Sequence, residues 1–243
     1  MTSKQRVRVG DLDLSVIDPF ERTTQYIYDE IFMGGIYEHP QIKLPERSTI
    51  IDVGANIGLF TIWAARTHRP RTILAYEASP TTHECLVENV GRHVDSEVTS
   101  VICINLAVSR EAGQELVLHQ PPWVCGLSTI LDGATLPWID ELRDKGELHT
   151  HKVRTTTISR EMGVQGVANV DLLKIDVEGH FMEVLEGIAA AELANVRNIV
   201  LEAEYAERLG LSRDSICAML REKGYSLEAR DAAQIMIYAW RSE

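Results

Sequence analysis

The chain has 243 residues, 45% hydrophobic and 25% charged, the ordinary balance of a folded globular protein and far from that of a disordered one. That length fits one large domain rather than two. With 36 acidic against 24 basic residues, the formal charge of -12 opposes phosphate backbones and anionic lipid, so nucleic-acid and membrane partners are not expected.

The first residues hold no apolar signal-peptide core and no run of about 18 apolar residues occurs, which points to a cytoplasmic protein. Cys85, Cys103, Cys125 and Cys217 show no paired ligand spacing. Three of them sit in apolar stretches and read as buried thiols rather than as a metal site or disulfide.

In chain order, residues 1–47 are broken at Asp18-Pro19, Gly34-Gly35 and His39-Pro40 and read as an N-terminal cap. Residues 48–243 read as one domain in which short β-rich runs alternate with amphipathic stretches. Strands are expected at 48–53, 71–76, 98–108, 171–177 and 198–203. Between them fall a helix at 59–68, a second that Ser79 caps and Pro80 opens, reaching about 94, and a third at 181–193. Ser212 caps a last helix that Gly224 closes, and 225–229 and 233–240 then face each other as an antiparallel hairpin. Residues 120–150, punctuated by Pro121, Pro122, Trp123, Gly126, Gly133, Pro137 and Trp138, read as a long irregular loop and a substrate lid. The fold class is therefore α/β, a Rossmann-like doubly wound seven-stranded sheet ending in a C-terminal antiparallel hairpin.

Ile51-Asp52-Val53-Gly54-Ala55-Asn56-Ile57-Gly58 lies where a buried strand meets a helix. Glycines there let the backbone turn sharply and approach a ligand closely. Asn56 replaces the glycine of a dinucleotide fingerprint, and Asn is the non-glycine residue best able to hold a left-handed backbone. Asp52 is placed either to orient the loop or to meet a ligand amine, which suits a cationic amino-acid ligand better than a pyrophosphate. Glu77, at the next strand tip, can accept hydrogen bonds from two ribose hydroxyls. Taken singly, Glu77 reads equally as a solvated acid and the glycines as turn residues; their shared strand-tip spacing favours a site.

Lys174-Ile175-Asp176-Val177-Glu178-Gly179-His180 crowns the fourth strand, and Glu202 and Glu204 end the fifth. Ligands in open α/β sheets lie outside the carboxyl ends of the strands, so Asp176 and Glu178 should share a crevice with the glycine loop. His180 is a candidate base or an idle exposed residue, and Lys174 stands in the same position. The acids make a divalent cation conceivable, but helix-capping or loop-ordering roles suit them better and no metal is expected.

From about 49 to 203 the chain resembles the FkbM family of S-adenosylmethionine-dependent methyltransferases. The resemblance rests on Ile51 to Gly58, on Tyr76-Glu77-Ala78-Ser79-Pro80 with Glu88-Asn89-Val90, on Asn105-Leu106-Ala107-Val108-Ser109, and on Lys174 to Gly179 continued by Val184-Leu185-Glu186-Gly187. Phe181 stands where the family usually has an acid, and Ala78 where it usually has proline. The resemblance implies S-adenosylmethionine as cofactor and a class I methyltransferase sheet. It implies donor contacts at Asp52, Gly54, Asn56 and Glu77, with Gly58 in the same loop and Leu106 or Ala107 beside the adenine. Lys174, Asp176 and Glu178 would lie near the transferred methyl. It further implies O-methylation of a small-molecule hydroxyl, on a secondary metabolite or sugar, free or carrier-bound. Two rivals stand beside it: a nicotinamide-dependent oxidoreductase, and a non-catalytic donor-binding module of a biosynthetic assembly.

Overall fold

The computed structural model describes residues 4–17, 21–121, 125–231 and 235–241. The chain opens with a hairpin of β1 (Gln5–Val9) and β2 (Leu12–Val16), then helix α1 (Glu21–Tyr28), which runs into a π-helical turn at Asp29–Met33. Strand and helix then alternate through β3 (Thr49–Val53), α2 (Leu59–His68), β4 (Thr72–Tyr76), α3 (Pro80–His93) and β5 (Ser100–Ile104). An insertion follows, made of β6 (Ala107–Val108), β7 (Glu115–Gln120), α4 (Pro137–Asp144), β8 (His149–Thr156) and α5 (Ile158–Val164). The alternation resumes with β9 (Leu172–Ile175), α6 (Phe181–Glu186), α7 (Ala190–Leu193), β10 (Asn198–Glu202), α8 (Arg213–Glu222), β11 (Ser226–Asp231) and β12 (Ile235–Trp240).

The central sheet has the order β11-β12-β10-β9-β3-β4-β5, with β12 antiparallel to both neighbours and the pairs from β10 to β5 parallel. This is the expected doubly wound seven-stranded sheet with its C-terminal antiparallel hairpin. The chain builds outward from β3 to β5, then returns to lay β9 against the other side of β3. The crevice above β3 and β9 is thus the point where the winding direction reverses, the place where such sheets hold ligands.

Period-two alternation sorts the strand residues onto two faces. Ile51, Val53, Leu173, Ile175, Ile199 and Leu201 join one core with residues of α5, α6 and α8. Ile50, Leu172 and Val200 join the other with α2 and the β1–β2 hairpin. The second row, continued two residues toward the carboxyl ends, reaches Asp52, Lys174 and Glu202. A charged tier therefore caps an otherwise apolar face.

Several expected elements change shape. The single strand expected at 98–108 divides at Asn105, whose amide donates to the carbonyls of Glu77 and Ala78 at 2.8 and 3.0 Å and draws the chain out of the sheet. Its second half, β6, pairs instead with β8 in a separate sheet of order β6-β8-β7. The helix expected at 181–193 breaks into α6 and α7 at Gly187, where a Cβ would meet the Ser109 carbonyl oxygen at 2.2 Å. The 120–150 stretch is only partly irregular: Pro137 opens α4 as its first residue, and Leu136, Ile139 and Leu142 are buried. Pro122 and Trp123 lie outside the described residues, as do Asp18, Pro19 and Ala233. Ser79 and Ser212 cap α3 and α8 as their sequences suggest. Cys85 and Cys217 are buried and Cys103 is half-buried. Among the described residues no helix is long and apolar enough to cross a membrane.

Buried Asn89 joins the N-terminal hairpin to the rest. Its Oδ1 accepts from the Ser15 amide at 2.7 Å, while its Nδ2 donates to the carbonyls of Ser15 and Ile57 at 3.0 and 2.8 Å. Asn89→Ala would strand three polar groups in the interior. Urea denaturation should show a loss of at least ~2 kcal/mol for that variant.

Candidate active site

After Val53 the chain turns through Gly54 to Gly58 into α2. Gly54 has φ of +77°, and a Cβ there would stand 1.7 Å from the Asp176 carbonyl oxygen, so only glycine lets the loop lie this close to the end of β9. Asn56, at φ of +50°, holds the left-handed backbone that Asn tolerates. The Asn56 amide donates to Glu77 Oε2 at 2.9 Å and the Ser79 amide to Oε1 at 2.8 Å. Glu77 thereby staples the loop to the tip of β4. Each of its oxygens keeps a second lone pair for a ligand. Burial pushes its pKa up to about 7, against the pull of the two amides and Lys174.

The loop and Glu77 form one wall of a cleft whose apolar side consists of Leu106, Ala107, Val108, Leu118 and Ile130. An apolar slot ending on a hydrogen-bonding acid fits a nucleoside, with a flat base between the walls and ribose hydroxyls at the carboxylate. Gly126, Ser128 and Ile130 close this cleft from the insertion. Their segment is anchored where Thr129 Oγ1 donates to the Glu178 carbonyl at 2.7 Å.

A second chamber adjoins the first, and Gly54, Asn56, Gly126, Asp176 and Glu178 line both. Its far wall comes from the N-terminal segment through Thr23, Tyr26, Glu30, Ile31 and Tyr37. Lys174 lies at its base, 2% exposed. The Lys174 Nζ donates to the Gly54 carbonyl at 2.7 Å and pairs with Asp52 Oδ1 at 3.1 Å and Asp176 Oδ2 at 3.4 Å. Burial opposes its charge, but Asp52 and Asp176 outweigh burial and hold its pKa above the ordinary lysine value. Tyr37 Oη donates to Asp176 Oδ2 at 3.0 Å, and the rings of Tyr37 and Phe60 each lie 5.6 Å from Lys174 Nζ. Burial, then Asp176, holds the Tyr37 hydroxyl well above its usual pKa.

The structure brings Gly54, Asn56, Glu77, Leu106, Ala107, Asp176, Glu178 and His180 to the first cleft. Asp52 lines neither cavity. It is fully buried beneath the loop, accepting from Thr61 Oγ1 at 2.6 Å and pairing with Lys174, so it orients the loop rather than meeting a ligand. Gly58 likewise lines neither; it is the left-handed N-cap of α2. Lys174, with three acceptors around an ammonium of three protons, is not a base. His180 sits 3.0 Å from Ser109 Oγ, and burial lowers its pKa, leaving the ring neutral. Burial raises the pKa of both Glu178 and Glu204, and Glu178 Oε2 is buried with no hydrogen-bond partner among the described residues. Among the described residues no three His, Cys, Asp or Glu side chains converge as metal ligands.

Sequence reading passed over Tyr26, Glu30 and Tyr37. They lie between breakers far from any motif, and only the path of the N-terminal segment across the strand ends delivers them.

Residues 52–227 match the family described as the Methyltransferase FkbM domain. Methyltransferase sdnD of Sordaria araneosa is 32% identical over 228 residues, covering 86% of this chain and 85% of its own length. The 31-O-demethyl-FK506 methyltransferase FkbM of Streptomyces tacrolimicus is 31% identical over 227 residues, covering 84% and 83%. The AMB antimetabolite synthetase AmbE of Pseudomonas aeruginosa is 31% identical over 238 residues; they cover 86% of this chain, which spans only 11% of that synthetase.

A reversed-winding sheet with an apolar cleft at its switch point, on a chain of this likeness, defines an S-adenosylmethionine-dependent methyltransferase of Rossmann-like fold. The chain belongs to the FkbM family. Family membership sets aside the nicotinamide alternative.

Burial, reinforced by Asp176 and Glu204, pushes the Glu202 carboxyl from 4.5 up to about 9. A raised acid contributes stability that is complete below its unfolded pKa and lost as pH climbs through the folded one. Glu202→Gln should therefore gain in Tm relative to wild type as pH rises from about 4.5 to about 9. A Tm margin that stays flat across that window would show that Glu202 is not held neutral.

Proposed function

We propose that this chain transfers the methyl group of S-adenosylmethionine to a hydroxyl of a small-molecule acceptor, secondary-metabolite or sugar-like, free or carrier-bound. It would act in the cytoplasm, with neither nucleic acid nor membrane as partner. The name of the Streptomyces relative, a 31-O-demethyl-FK506 methyltransferase, supports an oxygen acceptor. The observation that carries the reading is Asp176, a carboxylate lining both chambers and held in place by Lys174 and Tyr37.

When bound, S-adenosylmethionine supplies an electrophilic methyl carbon on a sulfonium and leaves as a neutral thioether. Leu106, Ala107 and Ile130 would enclose its adenine and Glu77 would accept from its ribose. Asn56 and Gly54 would hold the loop against the remainder. The acceptor would enter through the second chamber, with its hydroxyl at Asp176. Asp176 would take the hydroxyl proton and so make the acceptor oxygen nucleophilic toward the donor's methyl. Lys174 and Tyr37 stay protonated and keep the Asp176 oxygen oriented toward the junction. Alignment of this kind supplies ~7–11 kcal/mol. Residues 1–47 would act as a cap, through Tyr26 and Tyr37. The 120–150 segment would act as a lid, through Gly126, Ser128 and Ile130, which exclude water from the transfer.

A thermal-shift comparison should show stabilisation by S-adenosylhomocysteine and none by NAD. In calorimetry, Glu77→Ala should weaken S-adenosylhomocysteine about thirtyfold, the equivalent of ~2 kcal/mol; unchanged affinity would remove Glu77 from the site. Because only the ionised carboxylate accepts from both hydroxyls, wild-type affinity should fall as pH drops below about 7, a dependence absent in Glu77→Gln. Asp176→Asn should lower kcat by ~10²–10⁴ with donor affinity largely kept, read by mass spectrometry of intermediates incubated with labelled donor. Donor binding with no product across the whole acceptor panel would favour a non-catalytic module.

A further inference from the structure

Among the described residues, the second chamber is lined by five carboxyl groups, Glu30, Asp176, Glu178, Glu202 and Glu204, and by one cation, Lys174. Lys174 is already saturated by Gly54, Asp52 and Asp176. Glu202 is 7% exposed and lines the chamber, and beside it Glu178 Oε2 is buried with no hydrogen-bond partner among the described residues. A buried acid without a partner is costly to the fold, and a cavity lined by one is suited to a ligand that provides the missing partner.

The surroundings specify that partner. Glu30 and Tyr26 line the same chamber as Glu202, and Tyr26 is 57% exposed. Two carboxyl groups beside an aromatic face make an ammonium-binding set: both accept from the ammonium, Glu202 giving up its proton as the cation arrives, and the ring quadrupole adds to the attraction. Tyr26, Glu30 and Glu202 line only the second chamber, away from the nucleoside cleft.

We propose that the acceptor carries a protonated amine, held by Glu202 and Glu30 against the Tyr26 ring, while its hydroxyl reaches Asp176. This rests on the methyl-transfer reading, and it excludes acceptors that bring a carboxylate or phosphate to this wall.

The test uses the full chain saturated with S-adenosylhomocysteine, titrated calorimetrically with a short aminoalcohol, the hydroxy acid of equal length and the neutral alcohol. The aminoalcohol should bind saturably and at least about tenfold more tightly than either analogue. Glu202→Gln should weaken it by at least about tenfold while S-adenosylhomocysteine affinity changes by no more than about twofold. Glu30→Gln, on the half-exposed helical turn, gives the same reading should Glu202→Gln fold poorly. Absence of saturable aminoalcohol binding, or a hydroxy acid binding as tightly, overturns the proposal. An equal loss of S-adenosylhomocysteine affinity in Glu202→Gln also overturns it, by assigning Glu202 to the donor. Failure of S-adenosylhomocysteine to bind wild type is a separate result, one that would defeat the methyltransfer reading itself.

Discussion

One buried ammonium organises the carboxyl end of the sheet. Lys174 faces Asp52 directly across the β3–β9 pairing and reaches upward to the Gly54 carbonyl and sideways to Asp176. Removing one member of such a buried pair costs about 3–5 kcal/mol, because the charge left behind has no solvent to turn to. The arrangement therefore fixes three things at once: the junction of two neighbouring strands, the path of the glycine loop, and the orientation of the carboxylate between the two chambers. A residue whose sequence position suggests chemistry instead holds the chemical residues in register.

From that tier the two cavities follow. The loop fixed by Lys174 offers its Asn56 amide to Glu77, which closes the nucleoside wall on the β4 side. The Asp176 carboxylate fixed by Lys174 meets the Tyr37 hydroxyl, which draws the N-terminal segment over the β9 and β10 ends. Tyr238 Oη donates to the Ile36 carbonyl at 2.6 Å and secures that segment from the opposite side. Asn89 does the same for the hairpin. The second chamber is thus walled by parts of the chain about 140 residues apart in sequence, Tyr37 and Asp176 being separated by 139.

The sheet was legible because its information is local and periodic. Runs such as Thr49–Val53 and Asn198–Glu202 are apolar on both faces, and Ser79-Pro80 and Ser212 mark helix starts by capping chemistry alone. That Gly54, Asn56 and Glu77 line one cleft was legible for a related reason: they sit at strand tips whose position follows from the strands. What stayed hidden depended on distant contacts. Asn105 ends β5 only because Glu77 and Ala78 present it with carbonyls. Gly187 breaks a helix because the Ser109 backbone presses against it. Pro137 read as a loop breaker, although proline at a first helical position starts an element as readily as it ends one. Asp52 read as a possible ligand contact, because sequence cannot say which of two faces a strand-end acid takes until the neighbour at Lys174 is in place.

The most direct test is a crystal structure with S-adenosylhomocysteine bound. The ribose hydroxyls should lie within hydrogen-bond distance of Glu77 and the base between Leu106, Ala107 and Ile130, with Lys174 Nζ still on the Gly54 carbonyl. A nucleoside seated elsewhere, or Lys174 swung away from Gly54 to meet the ligand, would contradict this account.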